Sequence, residues 1–167
     1  QVVLVTNTEV FAKKVIKEIT AQLKNLSRKD IAKKALSNSC AVILDGQEKA
    51  IELINFYAPE HLIVAVKNED AVLDGIYNAG SVFIGNFTPE SAGDYASGTN
   101  HTLPTYGYAR NYSGVSLDSF VKKITYQKIS AEGLKLLGPT VELMAKNELL
   151  DAHQNAVTIR LNALKQS

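Results

Sequence analysis

Four short β-branched runs punctuate the first 85 residues: VVLVT at 2–6, CAVILD at 40–45, LIVAV at 62–66 and SVFIG at 81–85. Each is too short for a core helix and is apolar without alternation, the pattern of a strand covered on both faces. Between them the period changes. Val15, Ile16, Ile19, Leu23 and Leu26 recur at helical spacing and predict an amphipathic helix over residues 9–26. Ser27 with Asp30 three positions on predicts a helix start for 28–37, and 48–57 and 69–79 read as two more helices. Strands that alternate with helices need crossover connections, so the chain is expected to be α/β, with a parallel sheet flanked by helices on both faces.

The alternation stops at residue 86. Residues 86–115 show neither period, and a loop of that length in a compact domain is usually functional. Residues 116–129 are balanced between helix and strand. Ser130 opens a helix over AEGLKLLG, and 140–148 and 151–165 follow as further helices. A boundary is therefore expected near 111–116, between an α/β portion (1–111) and a helical tail (112–167).

Charge and cysteine content exclude several classes. The net charge is +1, which offers no strong field to nucleic acid or to a membrane surface. Residues 1–40 carry eight Lys/Arg against three Asp/Glu, but these lie on a helical pattern and read as a solvated face. The single cysteine, Cys40, rules out an internal disulfide framework and a multi-cysteine metal site. Its place in an apolar run predicts a buried, inert thiol. No run approaches a membrane span and no signal-peptide pattern is present, which points to a cytoplasmic or equivalent reducing compartment. The start at Gln1, straight into a strand and without an initiator Met, suggests a piece of a longer polypeptide.

Three histidines carry the options for chemistry. His61 follows Glu60 in YAPEHLIV, His101 ends DYASGTNH, and His153 lies in LLDAHQNAV five residues after Glu148. Imidazoles beside carboxylates serve as metal ligands, as general bases or as both, and spacing alone does not choose among these and an ordinary surface role. Pro59 stiffens the turn before Glu60, and neighbours on an extended segment point to opposite faces, so the pair could serve two different protons. Asp94, between Gly93 and Gly98, reads either as an Asx-type turn or as a carboxylate aimed at a cation. There is no G-x-G-x-x-G, P-loop, H-E-x-x-H or G-x-S-x-G, so no motif marks a nucleotide site.

The run AGSVFIGNFTPESAGDYASGTNHTLPTYGYARNYSGVSLDSF, with YAPEHLIV before it and LLDAHQNAVTIRL after it, resembles the histidinol dehydrogenases over essentially the whole chain. The resemblance implies the C-terminal portion of such an enzyme: part of a Rossmann-like parallel sheet with flanking helices, then a small helical tail used in dimerisation and in the active site. It implies oxidation of L-histidinol to L-histidine in two NAD-dependent steps through the aldehyde, by a zinc-containing homodimer with shared active sites. Glu60 and His61 match the catalytic acid–base pair. Asp94 and His153 match two zinc ligands. His61, Asp94, His101, Glu148 and His153 match substrate-contacting positions. The family's other two zinc ligands and most NAD contacts lie upstream of Gln1, so this chain is expected to be inactive alone and to need the missing N-terminal part. The compartment implied is the cytoplasm, or a plastid for a plant-like source.

Two readings compete with the enzyme. One is a non-catalytic module that dimerises or binds zinc weakly. The other is a zinc hydrolase with Glu60 as its base. A basic-helix nucleic-acid binder is the weakest alternative, because the charge that would carry it is solvated.

Overall fold

The computed structural model describes residues 1–166, which form two compact units, one ending at Val121 and the other beginning at Lys122. The first unit is mixed α/β, with parallel strand pairs and flanking helices; the second is helical.

Strand β1 (Val3–Thr6) pairs in parallel with β2 (Cys40–Ile43), and β3 (His61–Val64) pairs in parallel with β4 (Ser81–Ile84). All four strands fall where the apolar runs predict. Among the described residues they form two separate two-stranded pairs. Helix α1 (Glu9–Gln22) connects β1 towards β2; Thr8 caps it by accepting from the Phe11 N–H at 3.2 Å. It ends four residues short of the predicted limit, where Leu23–Asn25 tightens into a 3-10 turn. Helix α2 (Lys29–Leu36) starts without the expected cap: Arg28 occupies the N-cap position and makes no side-chain capping bond.

Cys40 departs from expectation. It is exposed, and so is Ile43 on the same strand, because β1 and β2 form only a two-stranded pair and their outer faces stay uncovered. An apolar neighbourhood in sequence does not bury a thiol when nothing packs over the side of the strand it faces.

The better-covered pair is β3–β4. Its register sets His61 opposite Ser81, Leu62 opposite Val82 and Ile63 opposite Phe83. Side chains alternate between faces of a strand. Leu62, Val64 and Val82 therefore turn one way and join Val72, Ile51, Ile54, Leu73, Ile76 and Ala79 in the core. These partners come from α3 (Gln47–Tyr57), α4 (Glu69–Leu73) and the segment that follows α4. His61 and Phe83 turn to the opposite face. The strand that supplies the core thus presents the histidine away from it.

Asn55 ties this layer together and is 4% exposed. Its Nδ2 donates to the Gly75 carbonyl at 2.7 Å, and its Oδ1 accepts from the Tyr77 and Asn78 N–H groups at 2.9 and 3.1 Å. Helix α4 was expected to reach residue 79 but stops at Leu73; the backbone beyond it satisfies its polar groups through Asn55 rather than through helical bonds.

In the second unit, α6 (Ala131–Asn147) packs against α7 (Asp151–Gln166). Ser130 caps α6, accepting from the Gly133 N–H at 3.1 Å. The helix runs unbroken through Pro139, where a break was expected. Proline costs one helical bond, but the neighbouring Gly138 lets Leu161 come so close that a Cβ there would lie 2.8 Å from Leu161 Cδ1, and that packing holds the helix. Residues 116–129 contain a 3-10 turn, Leu117–Phe120, boxed by Ser116 and Ser119, and then no regular element.

Candidate active site

The site is built on the face of β3–β4 opposite the core. Helix α3 ends at Ala58, whose left-handed backbone (φ 52°) turns the chain sharply into Pro59 and Glu60. The next strand takes over at once: the Gly80 and Ser81 N–H groups donate to the carbonyls of Pro59 and Glu60, both at 2.9 Å. Gly80 is required there, because a Cβ would lie 2.6 Å from the Glu60 carbonyl oxygen. The backbone beneath the Glu60–His61 pair is therefore fixed by its neighbour strand.

His61 lies on Phe83, ring centroids 5.9 Å apart and planes 28° from parallel. Phe83 also receives helix α5 (Glu90–Tyr95), because Gly93 has no side chain: a Cβ would stand 2.6 Å from Phe83 Cε1. The long segment expected to be irregular thus contains a short α-helix, seated by a glycine on the ring beneath His61, and further on a 3-10 turn at Tyr108–Arg110. Its spacing puts Glu90 and Asp94, four residues apart, on one side of the helix.

The consequence is a cluster. His61 Nδ1 is 4.0 Å from Glu60 Oε1, and His61 Nε2 is 3.6 Å from Glu90 Oε1. The Glu60 carboxylate folds back toward the ring rather than pointing to the opposite face, since the strand begins only at His61. His61, Glu90 and Asp94 each place one ligating atom so that all lie within 4.8 Å of one another. All three side chains are partly buried, and His61 Nε2 is buried with no hydrogen-bond partner among the described residues. A buried polar atom left unpaired is costly and marks a position that a ligand, a proton or a metal completes.

The other expected site residues are distributed as follows. His101 lies in an exposed bend beside Asn100, whose Nδ2 donates to the Val115 carbonyl at 2.8 Å and whose Oδ1 accepts from the Thr102 N–H at 2.7 Å. Further along the loop, Arg110 donates to the Phe56 carbonyl and lies over the Phe56 ring at 5.3 Å. In the helical unit, Glu148 terminates α6 and His153 occupies the first turn of α7, both exposed. Glu90 stands out in sequence only as a neighbour of Asp94 and His101 in the long loop, with no role assigned to it. The available signal was its spacing of four from Asp94, obscured by the lack of any helical period around so short a helix.

The donor set of the cluster, an imidazole with two carboxylates, is one that zinc accepts. This chemistry sits on the motifs that carried the family resemblance, and comparison with known proteins decides the matter. The family model for histidinol dehydrogenase matches residues 1–161. The chain belongs to the histidinol dehydrogenase family.

Among curated relatives, histidinol dehydrogenase of Bacteroides thetaiotaomicron is 58% identical over 165 residues, and that of Aliivibrio fischeri is 53% identical over 166; each alignment covers 99% of this chain. The crystal structure of histidinol dehydrogenase from Elizabethkingia anophelis is 55% identical, covers 98% of this chain and superposes with a TM-score of 0.91. The chain spans about two-fifths of the length of these relatives: 39% and 38% of the two sequences and 38% of the solved chain. The match falls in their C-terminal part. Among the described residues, no helix is long and apolar enough to cross a membrane.

Proposed function

We propose that this chain carries the catalytic pair and part of the metal shell of a histidinol dehydrogenase, which oxidises L-histidinol to L-histidine with NAD as hydride acceptor. The observation that supports it most is the packing of Glu60, His61, Glu90 and Asp94 on the face of β3–β4 opposite the core. A half-buried imidazole between carboxylates, on a strand fixed by Gly80, is a positioned base.

In the first oxidation His61 takes the hydroxyl proton as the carbinol carbon gives its hydride to NAD, leaving the aldehyde. Glu60 then takes a proton from water as the water oxygen adds to the aldehyde carbon, while the protonated His61 returns its proton to the carbonyl oxygen, giving the hydrate and a neutral imidazole. In the second oxidation His61 takes a hydrate hydroxyl proton as the carbon gives a second hydride, leaving the carboxylic acid, which ionises to the carboxylate in water. Bringing base and substrate together is worth about 10²–10⁴ in rate for the proton transfer. The hydride chemistry belongs to NAD.

Asp94 would be one zinc ligand, and His153 would serve as a ligand to the metal of a second copy in the dimer; carboxylate and imidazole both suit that ion. Bound zinc would supply an anchor that orients the substrate nitrogens, a gain in proximity. His101 and Glu148 would contact the substrate. No residue of this chain is assigned to NAD. Exposed apolar side chains support a need for partner surface: Phe87, Tyr95, Leu117 and Phe120 in the first unit, Leu136, Leu143, Met144 and Leu149 in the second. The partners proposed are the remaining N-terminal portion of the family's length and a second copy in a homodimer. The relatives named above are bacterial, which supports a cytoplasmic setting and gives no support to a plastid one.

The test is histidinol-dependent NADH formation in the presence of zinc, by this chain with and without a separately prepared N-terminal portion. The proposal expects turnover on mixing and none from the chain alone. Hydrolysis of a model ester without NAD reduction would instead favour the hydrolase.

A further inference from the structure

We propose that Glu90 is a positioning residue for His61: its Oε1 accepts from the His61 Nε2–H, which fixes the ring and leaves the Nδ1 lone pair, beside Glu60, to exchange protons. This rests on the reading of His61 as the base given above.

The two ring nitrogens stand in different surroundings. Nε2 is buried and makes no hydrogen bond, with the Glu90 carboxylate 3.6 Å away; Nδ1 looks toward Glu60 at 4.0 Å. A separation of 3.6 Å is a few tenths of an ångström beyond a hydrogen bond, and catalytic contacts lengthen in the absence of substrate and tighten on binding. The alternative, an imidazole N–H buried against a carboxylate and left unbonded, is the costly one. In neutral imidazole one nitrogen donates and the other accepts, so a proton held at Nε2 makes Nδ1 the basic atom.

Glu90 is also placed by the same device that places His61. Phe83 stacks under the imidazole and bears on Gly93 of α5, three residues from Glu90. Base and orienting carboxylate are thus referenced to one ring, the arrangement of a base held in one tautomer by a third group. A metal-ligand role for Glu90, beside Asp94, is the competing outcome.

The first experiment reads the ring proton directly. In protein labelled with ¹⁵N-histidine, His61 is expected to show a slowly exchanging Nε2–H resonance downfield of the amides, assigned by its loss in His61→Asn. It is expected to persist in Asp94→Asn, to vanish in Glu90→Ala, and to move upfield without vanishing in Glu90→Gln, whose amide oxygen still accepts. Persistence in Glu90→Ala, or loss in Asp94→Asn, overturns the proposal.

The second experiment is kinetic, on the complete zinc-loaded enzyme. Glu90→Gln is expected to lower kcat roughly 10–100-fold, with KM within about twofold, and to cost nothing further in the His61→Asn background. An equal loss in both backgrounds, or a loss confined to zinc content, overturns it. If His61→Asn turns over like the wild type, the reading of His61 as base fails, and the ring-proton result still decides what Glu90 does.

Discussion

Phe83 carries His61: the two rings stack at 5.9 Å on the face of the β3–β4 pair that turns away from the core. The same phenyl edge fills the place of a side chain at residue 93. Substituting Gly93→Ala must push α5 off the ring or tilt the ring under the imidazole. Overpacking of this kind costs about 1–3 kcal/mol. The expected result is a lower midpoint of urea unfolding together with a loss of kcat, whereas Ser91→Ala on the same helix should leave both near wild type.

Gly80 makes a sharper prediction. A Cβ there meets the Glu60 carbonyl at 2.6 Å, a contact with backbone that no rotamer change relieves. Gly80→Ala should displace Glu60 and His61 together and cut turnover at least tenfold. The Gly98→Ala control, at φ 89° but with no atom within 4 Å of the added Cβ, should lose stability through backbone strain with a smaller effect on kcat. Paired kcat and urea-midpoint measurements separate the two effects.

Asn55 is the polar bolt of the layer beneath the site. Asn55→Leu would leave the Gly75 carbonyl and the Tyr77 and Asn78 N–H groups without their partner. Each orphaned buried group costs about 1–3 kcal/mol. Equilibrium unfolding should therefore show one of the largest losses of any single substitution in the first unit, larger than Asn38→Ala, whose side chain bonds only an exposed carbonyl.

The sequence made the strands legible because each is a run of β-branched residues bounded by turn formers, and all four lie where they read. The helical unit was legible for the same kind of reason, with Ser130 as its cap. What was not legible depends on contacts between distant segments. Cys40 looked buried because its neighbours are apolar, yet it is exposed at the start of β2. Pro139 looked like a break, yet Gly138 lets α7 pack closely enough to hold α6 together. Helix α5 was invisible because six residues with a glycine inside them carry no period; its stability comes from sitting on Phe83. For that reason Glu90, though close to Asp94 and His101 in sequence, received no role, while His61 and Asp94 stood out through their motifs.

Metal removal offers a fourth expectation. Chelation should abolish turnover, and zinc should restore it. If Asp94 is a zinc ligand as proposed, Asp94→Ala should weaken zinc binding by well over tenfold in calorimetry, more than loss of a supporting group would. Cys40→Ser should leave both zinc content and turnover unchanged, because the thiol lies exposed on β2 and does not belong to the His61, Glu90 and Asp94 group.

The most direct test of the division of labour between Glu60 and His61 is the yield of NADH per histidinol consumed by the complete enzyme. If His61 serves both oxidations and Glu60 only the hydration between them, Glu60→Gln will stop near one NADH per histidinol with aldehyde trapped, and His61→Asn will slow both steps by about 10²–10⁴. A Glu60→Gln enzyme that still yields two NADH at the wild-type rate, or a His61→Asn enzyme that loses only the second step, would contradict the account.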